Sequence, residues 1–378
     1  MTARPLIVLD AMAVRTRPTG VASGSVELLR ALAARDRGCD FVVVAGHRAA
    51  FDWLDGTPGW QVVAPPAVRA VAREWHRGYT LPRLCRSRGA ALMHALQPVA
   101  PWTAPCPVVL TVHDMAWRTM PDVIAEPRRT WLRAVVPPSL ARASLLLANS
   151  NATATALAAG FPGLVRKVRV VPHGTPAWAL AGPVASAPTE GERPFLLFVG
   201  TLEPRKNLPR LLDAYGQLLE GMGDQAPDLV LVGPMGWSSG PLQERLARPA
   251  LRQRVRVRGW LEDDEVRSLY RRALAVVLPS LDEGFGLPVL EAMACGVPVL
   301  TSDRGAMSEA AGTDALLVNP VDTAGLARAM QRLATDPALR LKLASAGPRR
   351  ASLWTWERTA DLTAAAYAEI TGDGGGRK

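Results

Sequence analysis

Short apolar runs alternate with longer amphipathic segments along the whole chain. In the first half the runs predict strands at Leu6–Asp10, Phe41–Ala45, Ala91–His94, Val108–Val112, Leu145–Ala148 and Val168–Val171. In the second half they predict strands at Phe195–Val199, Leu229–Val232, Val255–Arg258, Ala275–Leu278 and Val297–Thr301. Because the runs are short, apolar and mostly not alternating, they are typical of strands buried on both faces of a parallel sheet. The pattern predicts an α/β fold.

The amphipathic segments predict helices between these strands. In the first half they lie at Ser25–Ala34, Val68–Arg88, Arg128–Ala141 and Ala152–Ala159. Near the C-terminus two helices are predicted on either side of Asp336–Pro337, because proline cannot continue a preceding helix. One more helix is predicted after Trp354 and Trp356.

A change of composition divides the chain. Residues 179–194 are rich in alanine, proline, glycine and serine, carry no periodic pattern, and predict a linker. Residues 1–178 and 195–350 then form two separate α/β domains. Residues 351–370 predict a C-terminal helix that packs back toward the first domain, and the glycine-rich residues 371–378 predict a disordered tail.

Charge and cysteine content restrict the partners and the compartment. The formal net charge is +10, so an anionic partner is expected: phosphate groups, nucleic acid or an acidic membrane face. The four cysteines form no C-x-x-C pair and predict neither a zinc site nor a disulfide framework, which favours a cytoplasmic protein. No apolar run in the sequence is long enough to span a membrane.

The segment that follows the strand ending near Leu278 carries the most chemistry. A loop leads to a helix that is predicted to begin at Pro288, and Gly296 stands where the cap at the end of this helix belongs. Gly284 and Gly286 let the loop backbone approach a ligand closely, and the free N–H groups at the helix start form an anion site. Ligands of open parallel sheets bind at this carboxyl edge.

Two carboxylates flank the start of this helix. Glu283 lies in the loop and Glu291 lies one turn inside the helix, and a carboxylate can accept two hydrogen bonds from sugar or ribose hydroxyls. Two plainer interpretations stay open. Glu283 could be a solvated loop residue, and Glu291 could simply favour the positive end of the helix dipole.

A basic turn follows the first strand of the second domain, in the sequence GTLEPRKN. Arg205 and Lys206 lie at the strand-to-helix turn, and Asn207 opens the next helix. Positive side chains there would neutralise the oxygens of a diphosphate and help it leave, whereas the alternative is an exposed basic turn. Because the basic turn and the glycine-rich loop lie at the same sheet edge, the two together favour a ligand site.

With these motifs the second half resembles the retaining glycosyltransferases of the GT-B fold, family 4. The resemblance is carried by Gly200–Leu208, Val257–Leu261, Pro279–Gly296, Gly305–Gly312 and Leu316–Pro320. The first half is similar more loosely, through Thr19–Gly24, His113–Asp114, residues 149–157 and residues 171–174. Thr19–Gly24 occupies the place of a glycine-rich loop over the donor phosphates, but reads TGVASG instead of the commoner Gly-x-Gly-Arg form.

The resemblance implies two Rossmann-like domains facing across a cleft, with C-terminal helices, and it assigns roles to matched residues. Glu283 and Glu291 match the family's E-x7-E signature, and would hold the donor sugar and the ribose, respectively. Arg205 and Lys206 would hold the donor diphosphate. The other donor-binding residues implied are Gly20, Gly200, Gly259, Trp260, Leu261, Gly284, Phe285, Gly286 and Leu287, with residues 259–261 meeting the nucleobase largely through backbone groups.

The resemblance also implies a mechanism. His113 would lie near the reacting carbon and the leaving phosphate, and His113, Glu283, Arg205 and Lys206 would form the catalytic set. The leaving phosphate would take the acceptor proton on the same face, so the reaction retains configuration and needs no dedicated base, cofactor or metal. Asp263–Asp264 predicts the cap and first turn of a helix instead of a metal motif. A satisfied structural histidine remains the alternative for His113.

Two arginine-rich segments of the first domain predict the acceptor side. Residues 66–90 and 117–142 contain Arg69, Arg73, Arg77, Arg83, Arg86, Arg88, Arg118, Arg128, Arg129, Arg133 and Arg142, with Trp117 and Trp131 among them. Such a face could meet a glycan or a lipid-linked acceptor, with peripheral contact to the inner membrane surface. A solvated arginine-rich surface and a small soluble acceptor stay open as alternatives.

The segment from His113 to Thr153 most resembles bacterial mannosyl- and rhamnosyl-type transferases of polysaccharide assembly, which favours GDP-mannose as the donor and UDP-sugars next. Two other function classes stay open. A nucleotide-sugar epimerase of the same architecture would bind a similar donor, but the E-x7-E pair with the Arg–Lys turn favours transfer. A nucleic-acid binder would explain the charge, but no known nucleic-acid-binding motif accompanies it, so no nucleic-acid partner is expected. A Rossmann dehydrogenase is disfavoured because G-x-G-x-x-G is missing after the first strand.

Overall fold

The computed structural model describes residues 4–15, 20–64, 74–180, 193–237 and 239–372. These residues form two compact units. The first contains residues up to 119, residues 126–174 and the segment from 355, and the second contains residues 120–125 and 175–354. The predicted linker falls largely on residues 181–192, and the predicted tail on residues 373–378, which lie outside the described residues.

The first unit is built on a parallel sheet of seven strands in the order β3-β2-β1-β4-β5-β6-β7. The strands are β1 Leu6–Ala11, β2 Asp40–Ala45, β3 Trp60–Val63, β4 Leu92–Ala95, β5 Val108–Val112, β6 Leu145–Ala148 and β7 Val168–Val170. Six of them coincide with predicted strands to within a residue. The edge strand β3 was not predicted, because its four residues are only partly buried and form no sustained apolar run.

The helices of the first unit are α1 Val21–Ala33, α2 Leu81–Ser87, α3 Ala116–Thr119, α4 Arg128–Arg142 and α5 Asn151–Gly160. Helix α5 begins where the Ser150 hydroxyl accepts a hydrogen bond from the Thr153 N–H, 3.0 Å away. The described part of the long helix predicted over Val68–Arg88 is helical from residue 74 to Ser87, so the prediction is confirmed there, although the segment is not one regular α-helix. A π-helical turn at His76–Thr80 precedes α2, whose first turn contains Pro82.

The second unit contains a parallel sheet of six strands in the order β10-β9-β8-β11-β12-β13. They are β8 Phe195–Val199, β9 Asp228–Val232, β10 Val255–Val257, β11 Ala275–Leu278, β12 Val299–Ser302 and β13 Leu316–Val318. Strand β12 begins two residues later than predicted, and the edge strand β13 was not predicted because it is only three residues long.

The helices of the second unit are α6 Ala177–Leu180, α7 Leu208–Met222, α8 Gly240–Leu246, α9 Pro249–Arg252, α10 Asp263–Arg272, α11 Leu287–Ala294, α12 Gly305–Ala311, α13 Thr323–Thr335 and α14 Pro337–Ala351. Helices α13 and α14 break at Asp336, as predicted. The predicted N-terminal cap of α10 lies one residue too late. Glu262 caps this helix through a reciprocal bond pair with Glu265, and Asp263 and Asp264 both lie in its first turn.

The last helix, α15 Trp356–Gly372, packs on the first unit. It is held by a buried polar chain in which His94 on β4 bonds the Tyr367 hydroxyl at 2.7 Å and the Thr111 hydroxyl at 2.8 Å. Burial lowers the pKa of His94 to about 3, so its ring is neutral and can donate through one nitrogen and accept through the other.

Both sheets have the Rossmann strand order, in which the order reverses between β1 and β4 and between β8 and β11. Ligands of such sheets bind at the carboxyl ends of the strands beside these switch points. No helix within the described residues is long and apolar enough to cross a bilayer.

The basic face predicted for the first domain is smaller than expected. Arg77 is buried, and its guanidinium bonds Asp10 at 2.9 Å and Glu74 at 2.6 Å instead of facing solvent. Trp117 is buried as well, whereas Trp131 is exposed. Arg69 and Arg73 lie outside the described residues. A charge count along the sequence could not separate a buried arginine from a surface one, because only the fold brings residues 10 and 77 together.

Candidate active site

The basic turn and the glycine-rich loop leave adjacent strands of the second sheet. Strands β8 and β11 pair in parallel, with Leu197 opposite Val276, so both loops begin at the switch point. A backbone hydrogen bond of 2.9 Å from the Leu281 N–H to the Arg205 carbonyl joins the two loops directly. The predicted proximity of the two motifs is therefore found in the structure.

Glu283 lies at the centre of this arrangement. Its Oε1 accepts hydrogen bonds from the Lys206 ammonium and from the Ser280 hydroxyl, the latter at 3.0 Å, and its Oε2 lies 3.2 Å from the Arg205 guanidinium. Burial by itself would raise the pKa of Glu283, but Arg205 and Lys206 outweigh burial and hold that pKa below its ordinary value. The carboxylate is therefore charged at neutral pH.

Glu203 is a site residue that the sequence analysis missed. It is buried, and its Oε1 accepts two hydrogen bonds from Arg205, from Nε at 3.0 Å and from Nη2 at 2.9 Å. The sequence feature that could have identified Glu203 is its position in the basic turn, two residues before Arg205. Two carboxylates thus face two cations, so the positive charges predicted to hold a diphosphate are already balanced by protein groups.

Asn207 fixes the turn in place. It is buried, and its backbone φ of 62° lies in the left-handed region, which asparagine tolerates better than most residues. Its side-chain amide donates to the Pro279 carbonyl at 3.0 Å and to the Pro320 carbonyl at 2.7 Å. It therefore ties the start of α7 to the segments that follow β11 and β13.

Glycines shape the loops at this edge. Gly286 has a φ of 100°, and a Cβ on it would lie 3.1 Å from the Met307 sulfur, so only glycine fits there without strain. Helix α11 begins directly after it at Leu287, one residue earlier than predicted. At this helix start Pro288 has no N–H, and the Val289 N–H donates to the Gly286 carbonyl at 3.0 Å, so fewer N–H groups are available to an anion than the sequence predicted.

Three strand ends approach closely through glycines. Gly200, Gly233 and Gly259 follow β8, β9 and β10, and each has a positive φ. The Gly233 N–H donates to the Gly259 carbonyl at 2.7 Å, and a Cβ on Gly233 would collide with the backbone of Gly200. The predicted backbone site at residues 259–261 therefore lies at the same sheet edge, with Trp260 and Leu261 partly buried.

The pKa of the second carboxylate of the E-x7-E pair is shifted in the opposite direction from that of the first. Burial raises the pKa of Glu291 to about 7, although the Tyr270 hydroxyl donates to its Oε2 at 2.9 Å and opposes the shift. Tyr270, on α10, was also missed by the sequence analysis. No motif marked it, because only the packing of α10 brings it to α11.

Stability should therefore fall as the pH rises through the range in which Glu291 ionises. The pKa of its carboxyl is 4.5 in the unfolded chain and about 7 in the folded protein. The contribution of the protonated carboxyl to the free energy of unfolding is therefore fully present below pH 4.5 and is lost as the pH rises through 7. The difference corresponds to at most about 3 kcal/mol. We expect the free energy of unfolding of Glu291→Gln, relative to the wild type, to rise by this order between pH 4.5 and 8 in urea titrations. The control is Glu220→Gln, on the exposed face of α7, and a flat difference would contradict the raised pKa.

In the first unit, His113 follows β5 and is buried. Its Nε2 lies 2.8 Å from the Leu96 carbonyl, which can only accept, so Nε2 carries the proton. Burial lowers the pKa of His113, and the ring is neutral at neutral pH. Its Nδ1 then presents a lone pair that has no hydrogen-bond partner among the residues that the structure describes.

His173, from the VPHG segment, packs against His113. The two ring centroids are 5.6 Å apart, and the centroid of the Trp356 indole lies 5.3 Å from that of His173. A Cβ on Gly24 would lie 3.3 Å from His173 Nε2, so the first helix also approaches this group. Gly20 is exposed at the start of α1, and residues 16–19 of the predicted phosphate loop lie outside the described residues.

Comparisons with known proteins agree with these observations. The sequence model of the family described as glycosyl transferases group 1 matches residues 185–350, and that of glycosyltransferase family 4 matches residues 18–177. The chain is 31% identical over 268 residues to the O-antigen chain mannosyltransferase B of Escherichia coli, covering 68% of this chain and 69% of that protein. The chain belongs to the family 4 (group 1) glycosyltransferases. It is therefore a transferase.

Other relatives of this glycosyltransferase are matched over less of their length. A D-inositol 3-phosphate glycosyltransferase of Streptomyces bingchenggensis is 35% identical over 185 residues, which is 46% of this chain and 40% of the relative. The chain thus spans less than half of that protein.

Solved structures show the fold of this glycosyltransferase. A sucrose-phosphate synthase from Thermosynechococcus elongatus superimposes with a TM-score of 0.77 and 22% identity, over 98% of this chain and 100% of that one. The Anabaena protein HepE, in complex with UDP, gives a TM-score of 0.70 and 20% identity over 97% of this chain and 100% of that one. The predicted GT-B fold of two Rossmann-like domains is confirmed.

Proposed function

We propose that this glycosyltransferase moves a hexosyl group from a nucleotide-diphosphate sugar to a hydroxyl of a glycan or lipid-linked acceptor, with retention of configuration. GDP-mannose is the favoured donor and UDP-sugars are next. The observation that carries the proposal is the convergence of Arg205, Lys206 and Glu283 at the switch point of the second sheet. The name of the E. coli relative supports a mannosyl donor, and the UDP complex of HepE supports a nucleotide.

The site would bind the donor by exchange of ionic partners. A diphosphate brings oxygens that compete with Glu283 for Arg205 and Lys206, because cations pair with phosphate as readily as with carboxylate. Once released, Glu283 can accept hydrogen bonds from sugar hydroxyls, and Glu291 can accept them from the ribose. The two cations then stabilise the charge that develops on the leaving diphosphate, so the proposed reaction needs no metal and no cofactor.

His113 would act as a neutral hydrogen-bonding group near the reacting carbon and not as a general base. Its Nε2 proton is already donated to Leu96, so only the Nδ1 lone pair is free to meet a substrate. In the proposed reaction the acceptor proton goes to the leaving phosphate oxygen on the same face. Retention then follows from attack on that face.

The acceptor is assigned to the first unit. Its exposed aromatic side chains include Trp75, Tyr79 and Trp131, and the Arg83 guanidinium lies 3.6 Å from the centroid of the Tyr79 ring. Arginine and exposed aromatic rings together suit a phosphate-bearing lipid acceptor and peripheral contact with an anionic membrane face.

A nucleotide panel tests the proposal. Thermal unfolding of the wild type is followed with GDP, UDP, dTDP and ADP. A nucleotide at about 100 times its dissociation constant should stabilise the folded protein by about 2.7 kcal/mol. We expect GDP to give the largest shift, and turnover of GDP-mannose to require a second sugar. Stabilisation by none of the four would overturn the donor assignment, and isomerisation of the donor without an acceptor would favour the epimerase.

A further inference from the structure

Two buried hydrogen-bond acceptors follow adjacent strands of the first sheet, and neither has a donor. Strands β5 and β6 pair in parallel with Val112 opposite Ala148, so the next residues, His113 and Asn149, stand at neighbouring strand ends. Their exposed fractions are 6% and 3%. Among the residues that the structure describes, His113 Nδ1 and Asn149 Oδ1 have no hydrogen-bond partner.

Both residues are held in position by their neighbours. The Thr153 hydroxyl donates to the His113 carbonyl at 3.4 Å, and the Thr153 N–H donates to the hydroxyl of Ser150, the residue after Asn149. The two strand ends are therefore tied together through the first turn of α5. Rotation of His113 is also restricted by its bond to Leu96.

Leaving an acceptor buried without a donor destabilises a folded protein, and most native proteins avoid it. Two such atoms on neighbouring strand ends, at the edge where α/β sheets bind ligands, call for a ligand that supplies the missing hydrogens. Because both groups are acceptors, the missing group is a hydrogen-bond donor. Neighbouring hydroxyls of a sugar ring provide two such donors.

We propose that Asn149 is a substrate-binding residue that, together with His113, accepts hydrogen bonds from hydroxyl groups of a substrate sugar. The inference rests on the proposed function, since it deepens the assignment of sugar binding to this enzyme. It adds Asn149, for which neither the family signature nor the basic turn gives a role. The sugar is that of the donor or that of the acceptor, and the two are separated by the experiment.

The test uses Asn149→Ala, with Asn151→Ala as the matched control on the exposed start of α5. With GDP-mannose as donor and methyl α-D-mannopyranoside as acceptor, we expect kcat/KM for GDP release to fall about 10- to 100-fold in Asn149→Ala, as for the loss of a hydrogen bond to a buried partner. The melting temperature without ligand should stay equal or rise, because the variant removes an unsatisfied buried atom. A structural role for Asn149 would instead lower it.

Three comparisons decide the outcome. An increase in KM for GDP-mannose at saturating acceptor assigns the donor sugar, whereas an increase confined to the KM for methyl α-D-mannopyranoside assigns the acceptor. In a double-mutant cycle with His113→Ala the two effects should not add, since both residues bind one ligand. Equal activity of Asn149→Ala and Asn151→Ala, or a lower melting temperature for Asn149→Ala alone, overturns the inference.

The proposed function can fail separately from this inference. GDP stabilisation of the wild type depends on the second unit, and it is measured in the same samples. If the wild type binds GDP and releases it from GDP-mannose while Asn149→Ala does the same, only the role of Asn149 is wrong. If the wild type responds to no nucleotide, the proposed function fails, and the inference fails with it.

Discussion

Replacing Arg205 by alanine and Lys206 by methionine together should weaken nucleotide-diphosphate binding by roughly 100- to 10,000-fold. With each substitution the diphosphate would lose one charge-assisted hydrogen bond, worth about 1.5–3 kcal/mol. The loss of two such bonds gives the stated range of dissociation constants. The thermal shift with GDP should disappear, and transfer should fall at least as far because the same cations stabilise the leaving group. The measurements are thermal unfolding with GDP and the rate of GDP release from GDP-mannose.

Loss of folding has to be separated from loss of binding in this variant. Glu283 would remain buried without its two cations, and breaking a buried ion pair destabilises proteins by about 3–5 kcal/mol. Glu203 loses its partner Arg205 as well, so adding Glu283→Gln removes one of two stranded charges. The triple variant should regain part of the lost stability without regaining the GDP response. Arg328→Ala with Lys342→Met makes the same changes on the exposed faces of α13 and α14. A GDP response that survives in the triple variant would exclude this turn as the diphosphate site.

Glu283→Gln alone should separate nucleotide binding from transfer. In the free protein Glu283 holds the two cations that the diphosphate needs, so replacing its charge by a neutral amide should strengthen GDP binding, on the order of tenfold. The amide is a weaker acceptor for sugar hydroxyls, and we expect transfer to fall about 10- to 150-fold, the loss of one charge-assisted hydrogen bond. GDP titration and initial rates with GDP-mannose measure the two effects.

Stronger GDP binding together with slower transfer is expected only if Glu283 exchanges its ionic partners with the diphosphate. A carboxylate that only contacted the sugar would leave GDP binding unchanged, and a purely structural one would weaken GDP binding and transfer together. Glu220→Gln, an exposed change of the same kind, controls for the loss of one negative charge. Weaker GDP binding in Glu283→Gln would contradict the exchange of partners.

The sequence determined the elements that are buried on both faces. Strands such as β6 and β11 appear as unbroken apolar runs, and their predicted bounds match the structure because a strand with no exposed face leaves no polar positions. The edge strands β3 and β13 were missed because Gln61 interrupts the apolar run of β3 and because β13 is only three residues long. The basic turn and the acidic loop were also recognisable, because each carries its chemistry within a few consecutive residues.

Only the tertiary structure decided which side chains meet. Glu283 contacts Lys206 although 77 residues separate them, because β8 and β11 are neighbours in the sheet. In the same way, His113 and Asn149 stand at neighbouring strand ends because β5 and β6 pair. Hydrophobic periodicity records which face of an element is buried, but not which element covers it. The sequence by itself therefore determined the fold class and the two site motifs, and the order of the strands decided how their charges are paired.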